Sequence, residues 1–228
     1  MKVEIYRHQK TQPWTYADLD ARQREIARDL LNGGDPILLI SELSPIITRG
    51  RRTPEEDVKT LGLPHSIEMR DVDRGGLATY HGPGQWVVFP VHRLETSTGD
   101  RRGVRKAIYA LLEVAASVGR LYQSSIEIRE GAELGVWTDH GKFAAVGIHI
   151  KNGILLHGLS VNGFKTPESF CGLRPCGLDA PIDFLISEQE QAVGLKTREE
   201  LFLELKEELI AATLKRFSPN RAEPHPPL

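Results

Sequence analysis

The stretch Ala144-Ala145-Val146-Gly147-Ile148-His149-Ile150-Lys151-Asn152-Gly153-Ile154-Leu155-Leu156-His157-Gly158-Leu159-Ser160-Val161 decides how this chain folds. Two apolar runs flank Lys151-Asn152-Gly153, and Asn-Gly accepts the positive φ angles that a tight hairpin turn imposes. Two antiparallel strands are expected there, between Phe143 and Val161. Before the hairpin, Val104, Ile108, Leu111, Leu112, Ala115 and Val118 recur at helical spacing up to Gly119, and Ile126 and Ile128 suggest a strand. After it, Leu201, Leu205, Leu209 and Ile210 share one face of a helix over about 198–217, opened by Thr197 and Glu200 at capping-box spacing.

Upstream, a helix is expected from Tyr16 to Leu31 with Thr15 as cap, then a strand at Ile37 to Ile40 and a short run Ile46-Ile47-Thr48 beyond Ser44-Pro45. Ile67 and Met69 alternate with polar neighbours, and Trp86-Val87-Val88-Phe89 reads as a strand running into Pro90. No repeat or sustained heptad occurs, so the fold class is α+β of the mixed α/β kind, with helices packed on a mixed or antiparallel sheet. One domain spans 1–217, and the tail 218–228 (SPNRAEPHPPL) reads as disordered.

The 228 residues carry 29 Lys and Arg against 31 Asp and Glu, a net charge of −2, which leaves no strong field for a nucleic-acid partner. With 40% hydrophobic residues the chain can bury a core without staples, which excludes the disordered and fibrous classes. No apolar run approaches the roughly 20 residues needed to cross a bilayer. The start MKVEIYRHQK has no signal-peptide pattern, so a cytoplasmic protein is expected. The two cysteines, Cys171 and Cys176, make a poor disulfide framework and fit a reducing compartment.

Chemistry is expected in two places. Arg74-Gly75-Gly76-Leu77-Ala78-Thr79-Tyr80-His81-Gly82-Pro83-Gly84-Gln85 is rich in glycine, which lets a ligand or a neighbouring strand approach the backbone. It is either a ligand loop or a tight structural turn, and it has neither P-loop nor dinucleotide spacing. In Phe170-Cys171-Gly172-Leu173-Arg174-Pro175-Cys176-Gly177, Cys176 lies between proline and glycine and is the better nucleophile candidate, although a free cysteine is often a buried small hydrophobe. A thiol with an ordinary pKa of about 8.5 needs a nearby cation to become a thiolate. Lys142, His81, His149 and His157 are the available helpers, against the plainer readings of a solvated lysine and a satisfied core histidine. A structural metal is not expected, because no second close pair completes four ligands. Arg49, Arg51 and Arg52 could meet an acidic carrier protein or a phosphate, or simply be solvated.

These segments together resemble the lipoyl (octanoyl) transferases. The resemblance rests on Arg74 to Gln85 with its Thr79-Tyr80-His81-Gly82-Pro83-Gly84-Gln85 core, on Lys142-Phe143-Ala144-Ala145-Val146-Gly147-Ile148, on His157-Gly158-Leu159-Ser160-Val161-Asn162, and on Phe170 to Gly177. It implies the fold of lipoate and biotin ligases, a mixed sheet flanked by helices plus a small second sheet. It also implies transfer of an octanoyl group from acyl carrier protein to a lysine of lipoyl domains, in 2-oxoacid dehydrogenase E2 subunits and the glycine cleavage H protein. By the same resemblance Cys176 is the acyl-thioester cysteine and Lys142 its partner. Arg74, Gly75, Gly76, Thr79, Tyr80, His81, Gly82, Gly84, Gln85, Gly147, His157, Gly158 and Asn162 contact substrate, with Gly75, Gly76 and His81 closest to the reacting end. No cofactor, ATP or metal is expected, and the protein is expected to be a monomer. Gly177 to Leu185 lacks the Thr-Ser pair usual in the family. The alternatives are an ATP-dependent lipoate or octanoate ligase on the same fold and a non-catalytic paralogue that grips lipoyl domains.

Overall fold

The computed structural model describes residues 1–54, 67–170, 181–186 and 196–217. Its main layer is a seven-stranded sheet built on the expected hairpin, whose strands are β9 (Lys142–Lys151) and β10 (Ile154–Asn162). Asn152 and Gly153 both have positive φ, as the turn requires. Beyond β10 lie β6 (Gln85–Arg93), β2 (Ile37–Glu42) and β1 (Lys2–Arg7); beyond β9 lie β8 (Gly135–Trp137) and β7 (Glu127–Arg129). The β1–β2 pairing is parallel and the others are antiparallel, so the sheet is mixed. A second, three-stranded sheet has the order β4 (Glu68–Asp71), β3 (Ile46–Arg49), β5 (Thr79–His81).

Alternation along the strands divides the core in two. Leu38, Ile40, Trp86, Val88, Leu155 and Leu159 face one side. There they meet Leu111 and Leu112 of α3 (Val104–Gly119) and Phe202, Leu205 and Leu209 of α4 (Arg198–Phe217). Leu39, Val87, Phe89, Val91 and Leu156 face the other side and bury Tyr16, Leu19, Ile26 and Leu30 of α1 (Tyr16–Leu31). Both expected caps form: Thr15 and Asp18 hydrogen-bond reciprocally at the start of α1, as do Thr197 and Glu200 at the start of α4.

Several features differ from the sequence expectation, the strand β8 among them. Lys2–Arg7 is a strand, and the short helix α2 (Leu94–Thr98) follows β6. The glycine-rich stretch contains a strand of its own, β5, paired antiparallel with β3. The strand at Trp86 does not stop at Pro90 but continues to Arg93. A proline inside a sheet removes one ladder donor. Here the β6–β10 register runs through Leu155↔His92 and Leu159↔Val88 but is interrupted between them, across Pro90. His157 sits in that interruption with a left-handed φ of 59°. Alternation would put its ring beside Leu155 and Leu159; it lies instead beside Tyr16 and Phe89, on the α1 side.

Candidate active site

The small sheet and the segment from Arg74 to Ala78 cross the α1 side of the hairpin, and Gly75 N–H donates to the Ile148 carbonyl of β9 at 2.9 Å. Between them lies a cleft of about 710 Å3, open to solvent. Its walls come from Arg74, Gly76, Thr79 and His81 on one side and Lys142, Ala145, Gly147, Gly158 and Ser160 on the other. Tyr16 and Phe89 contribute from the α1 side, Gly131 and Leu134 from the turn before β8, and Arg52 from the basic cluster.

Lys142, the first residue of β9, is buried at 5% exposure. A lysine ammonium carries three donors, and one reaches the Leu134 carbonyl at 2.6 Å. Its Nζ also lies 5.8 Å from the Trp137 ring centroid, over an electron-rich face that attracts a cation. The backbone of Lys142 is held on both sides by the segment that follows residues 171–180: Lys142 N–H donates to the Pro181 carbonyl, and Asp183 N–H to the Lys142 carbonyl. The preceding residue, Phe170, packs on Tyr80 at 5.3 Å. A small depression joins these flanks to Lys142, lined by Phe170, Ile182, Thr79 and Asn162. Cys171 and Cys176 lie outside the described residues.

His81 is also buried, and its protonation is fixed by a chain of amides. The Asp183 and Lys142 carbonyls can only accept, so Asn162 turns its Nδ2 to them, at 3.1 and 3.5 Å. Asn162 Oδ1 then accepts from Gln85 Nε2 at 2.9 Å, which leaves Gln85 Oε1 to accept from His81 Nδ1–H at 2.7 Å. Nε2 therefore carries the lone pair of a ring that lines the cleft. Burial pushes the imidazole down to about 3, and the nearby Arg74 charge acts in the same direction. Arg74 directs its guanidinium to the Thr48 hydroxyl and carbonyl and to the Gly75 and Leu77 carbonyls, bracing the loop it opens.

His157 is fully buried. Its N–H and ring are held by Gln23, its Nδ1 lies 3.0 Å from the Tyr16 hydroxyl, and its Nε2 lies 2.7 Å from the Asp73 carboxylate. The hydrogen bond from His157 holds the Asp73 carboxyl well below the usual range, helped by Arg24. Tyr16 is pushed up by burial. This cluster, at the left-handed residue, sets the course of the backbone into Gly158 and Leu159 along the cleft wall.

The other expected site residues sit around rather than in the cleft. Tyr80 points to the opposite face of β5, with Ile47 and Ala78. The Gly82 carbonyl accepts from Gln85 N–H, and Gly84 ties Glu42 to Gly163 and Phe164. His149 accepts from exposed Arg51 at 2.6 Å, and Arg49 pairs with Asp71. Leu134, Gly135, Tyr16 and Asp73 were not singled out by the sequence; no motif flags them, because strand pairing and the packing of α1 bring Leu134 and Tyr16 to the cleft, Gly135 against Lys142 and Asp73 against His157. Among the described residues no group of three His, Cys, Asp or Glu could hold a metal ion, and no helix is long and apolar enough to cross a membrane.

The fold has counterparts among known proteins. A family model described as the lipoyl protein ligase A/B catalytic domain matches residues 16–188. The structure of protein Ta0514 from T. acidophilum with bound lipoic acid superposes with a TM-score of 0.67 at 12% identity, covering 95% of this chain and 86% of that one. Lipoate-protein ligase A bound with ATP superposes with a TM-score of 0.60 at 14% identity, covering 86% and 78%. At such identities the likeness concerns the fold, a mixed sheet flanked by helices with a small second sheet. Sequence goes further. The octanoyltransferase of Rhodococcus jostii (strain RHA1) is 37% identical over 181 residues, 76% of this chain and 68% of that protein. That of Corynebacterium glutamicum (strain R) is 35% identical over 179 residues, 76% and 69%. The chain belongs to the lipoyl protein ligase A/B catalytic-domain family and, within it, to the octanoyltransferases, which are acyltransferase enzymes.

Proposed function

We propose that this protein transfers an octanoyl group from acyl carrier protein to a lysine of lipoyl domains, through a thioester on Cys176, without ATP or metal. The acceptors are the lipoyl domains of 2-oxoacid dehydrogenase E2 subunits and the glycine cleavage H protein, and the setting is the cytoplasm. The observation that carries this reading is the seat of Lys142. A buried lysine lines the cleft, and its backbone is hydrogen-bonded to Pro181 and Asp183, a few residues after Cys176 in sequence.

The ammonium of Lys142 favours the Cys176 thiolate, which attacks the thioester carbonyl of the carrier-bound octanoate. The carbon–sulfur bond to the carrier breaks, and the departing phosphopantetheine sulfur takes the Lys142 proton. The acceptor ammonium then gives one proton to neutral Lys142, its amine attacks the octanoyl-Cys176 carbonyl, and the Cys176 thiolate leaves. The nitrogen loses its remaining extra proton to water, yielding the amide and restoring the thiolate and the ammonium. Thioester energy drives both halves, so no nucleotide is consumed. The apolar wall of Ala145, Val146 and Leu159 suits an acyl chain, at roughly 0.8 kcal/mol per buried CH2.

The test is to mix the protein with octanoyl carrier protein and a lipoyl domain in the absence of ATP. Octanoylated lipoyl domain is the expected product. An absolute requirement for ATP would overturn the reading in favour of a ligase.

A further inference from the structure

The end of the Lys142 side chain lies across the backbone of Gly135, at the start of β8. A Cβ built on Gly135 would stand 2.2 Å from Lys142 Cε and 2.9 Å from its Nζ, separations that real atoms do not adopt. The carbonyl just before it, that of Leu134, accepts the Nζ hydrogen bond at 2.6 Å. Lys142 is paired to this strand through Trp137↔Lys142, with a register irregularity between Val136 and Trp137. The lysine thus runs back along β8 over Gly135 and ends on the Leu134 carbonyl at the cleft.

We propose that Gly135 is a positioning residue: the space left by its missing Cβ, together with the Leu134 carbonyl, forms the seat that holds the Lys142 nitrogen at the cleft. This rests on the reading that Lys142 activates Cys176. The carbonyl serves both protonation states of the cycle. It takes one N–H of the ammonium; when Lys142 is neutral it still takes an N–H, because a carbonyl cannot donate, and so the lone pair is turned away from it. An alanine at 135 would leave the lysine present but move its nitrogen. A shift of about 1 Å in a reacting group can cost on the order of a hundredfold in rate.

The chain has two cysteines, so the test uses a Cys171→Ser background in which Cys176 is the sole thiol. The rate of alkylation by iodoacetamide is followed against pH, with circular dichroism and Tm as controls for the fold. Lys142→Ala should move the titration midpoint to higher pH and slow alkylation about tenfold at pH 7. Gly135→Ala should move it the same way, and adding Gly135→Ala to Lys142→Ala should move it no further. A purely structural role of Gly135 would not shift the midpoint. If Lys142→Ala shifts the midpoint and folded Gly135→Ala does not, the seat is overturned and the dyad stands. If Lys142→Ala itself leaves the profile unchanged, the reading of Lys142 fails.

Should Gly135→Ala not fold, the double variant decides. Recovery of the fold in Lys142→Ala/Gly135→Ala places the conflict at the lysine and supports the seat. An equally unfolded double variant places it in the backbone, at the Ala144 carbonyl 2.7 Å from the added Cβ or in the Gly135 φ of 157°, and overturns the proposal.

Discussion

His81 and Lys142 are two basic side chains on opposite walls of one cleft, and both are about 5% exposed. The surroundings of each differ in kind. His81 faces Arg74 and receives its tautomer from an amide chain that starts at carbonyl oxygens, so it stays neutral. Lys142 ends on a carbonyl oxygen and beside an indole face, both of which attract positive charge. Equal burial therefore does not make two basic groups equivalent; the sign of the neighbouring dipoles and charges differs from wall to wall. The cleft presents the imidazole lone pair of His81 on one wall and the side-chain nitrogen of Lys142 on the other.

The contrast can be tested from its largest consequence downward. Lys142→Ala removes the cation and should lower octanoyl transfer by about 10²- to 10⁴-fold with the fold retained, the range expected for losing a positioned acid-base group. Steady-state transfer from octanoyl carrier protein checks it, and activity within a few-fold of wild type would break the comparison. His81→Gln probes the other wall through stability. Between the ordinary histidine pKa and about 3, the unfolded chain binds a proton that folded His81 refuses, so the folded state loses stability as pH falls through that window. Wild type should lose about 3 kcal/mol more than His81→Gln between pH 7 and pH 4, as read from urea unfolding.

Gly76→Val acts on the wall between them. Gly76 has a φ of 89°, which a β-branched residue does not adopt readily, so octanoyl loading should fall about tenfold. Unchanged loading would remove the Arg74–Ala78 segment from the acyl site. The smallest effect belongs to Asp73→Asn. The Asp73 carboxylate is stabilised by His157, so its contribution is present above about pH 4 and lost as pH falls further. The variant should be less stable than wild type at pH 7, and the two melting curves should converge in acid.

What the sequence made legible is what local chemistry dictates. Asn152-Gly153 announced the hairpin, the Thr15 and Thr197 capping boxes announced two helices, and Lys142 stood out at the head of a strand. What it hid depends on distant partners. Lys2–Arg7 is a half-exposed edge strand, and its pairing with β2 lies far along the chain. Pro90 looked like a stop because a proline rarely sits inside a sheet, yet its place falls where left-handed His157 already interrupts the neighbouring ladder. Gly135 reads as an ordinary glycine until the β8–β9 pairing lays the lysine across it. His157 looked like a catalytic helper or a satisfied core residue; its partners Tyr16, Gln23 and Asp73 come from helix α1 and from the loop before Arg74, which no local pattern announces.

The account stands most directly on a covalent intermediate. The protein is incubated with octanoyl carrier protein alone, without a lipoyl domain, and its intact mass and fragmented peptides are measured. The predicted result is one added octanoyl group, located on Cys176 and absent in Cys176→Ser. A folded wild-type protein that gains no such mass, yet octanoylates a lipoyl domain when one is supplied, would contradict it.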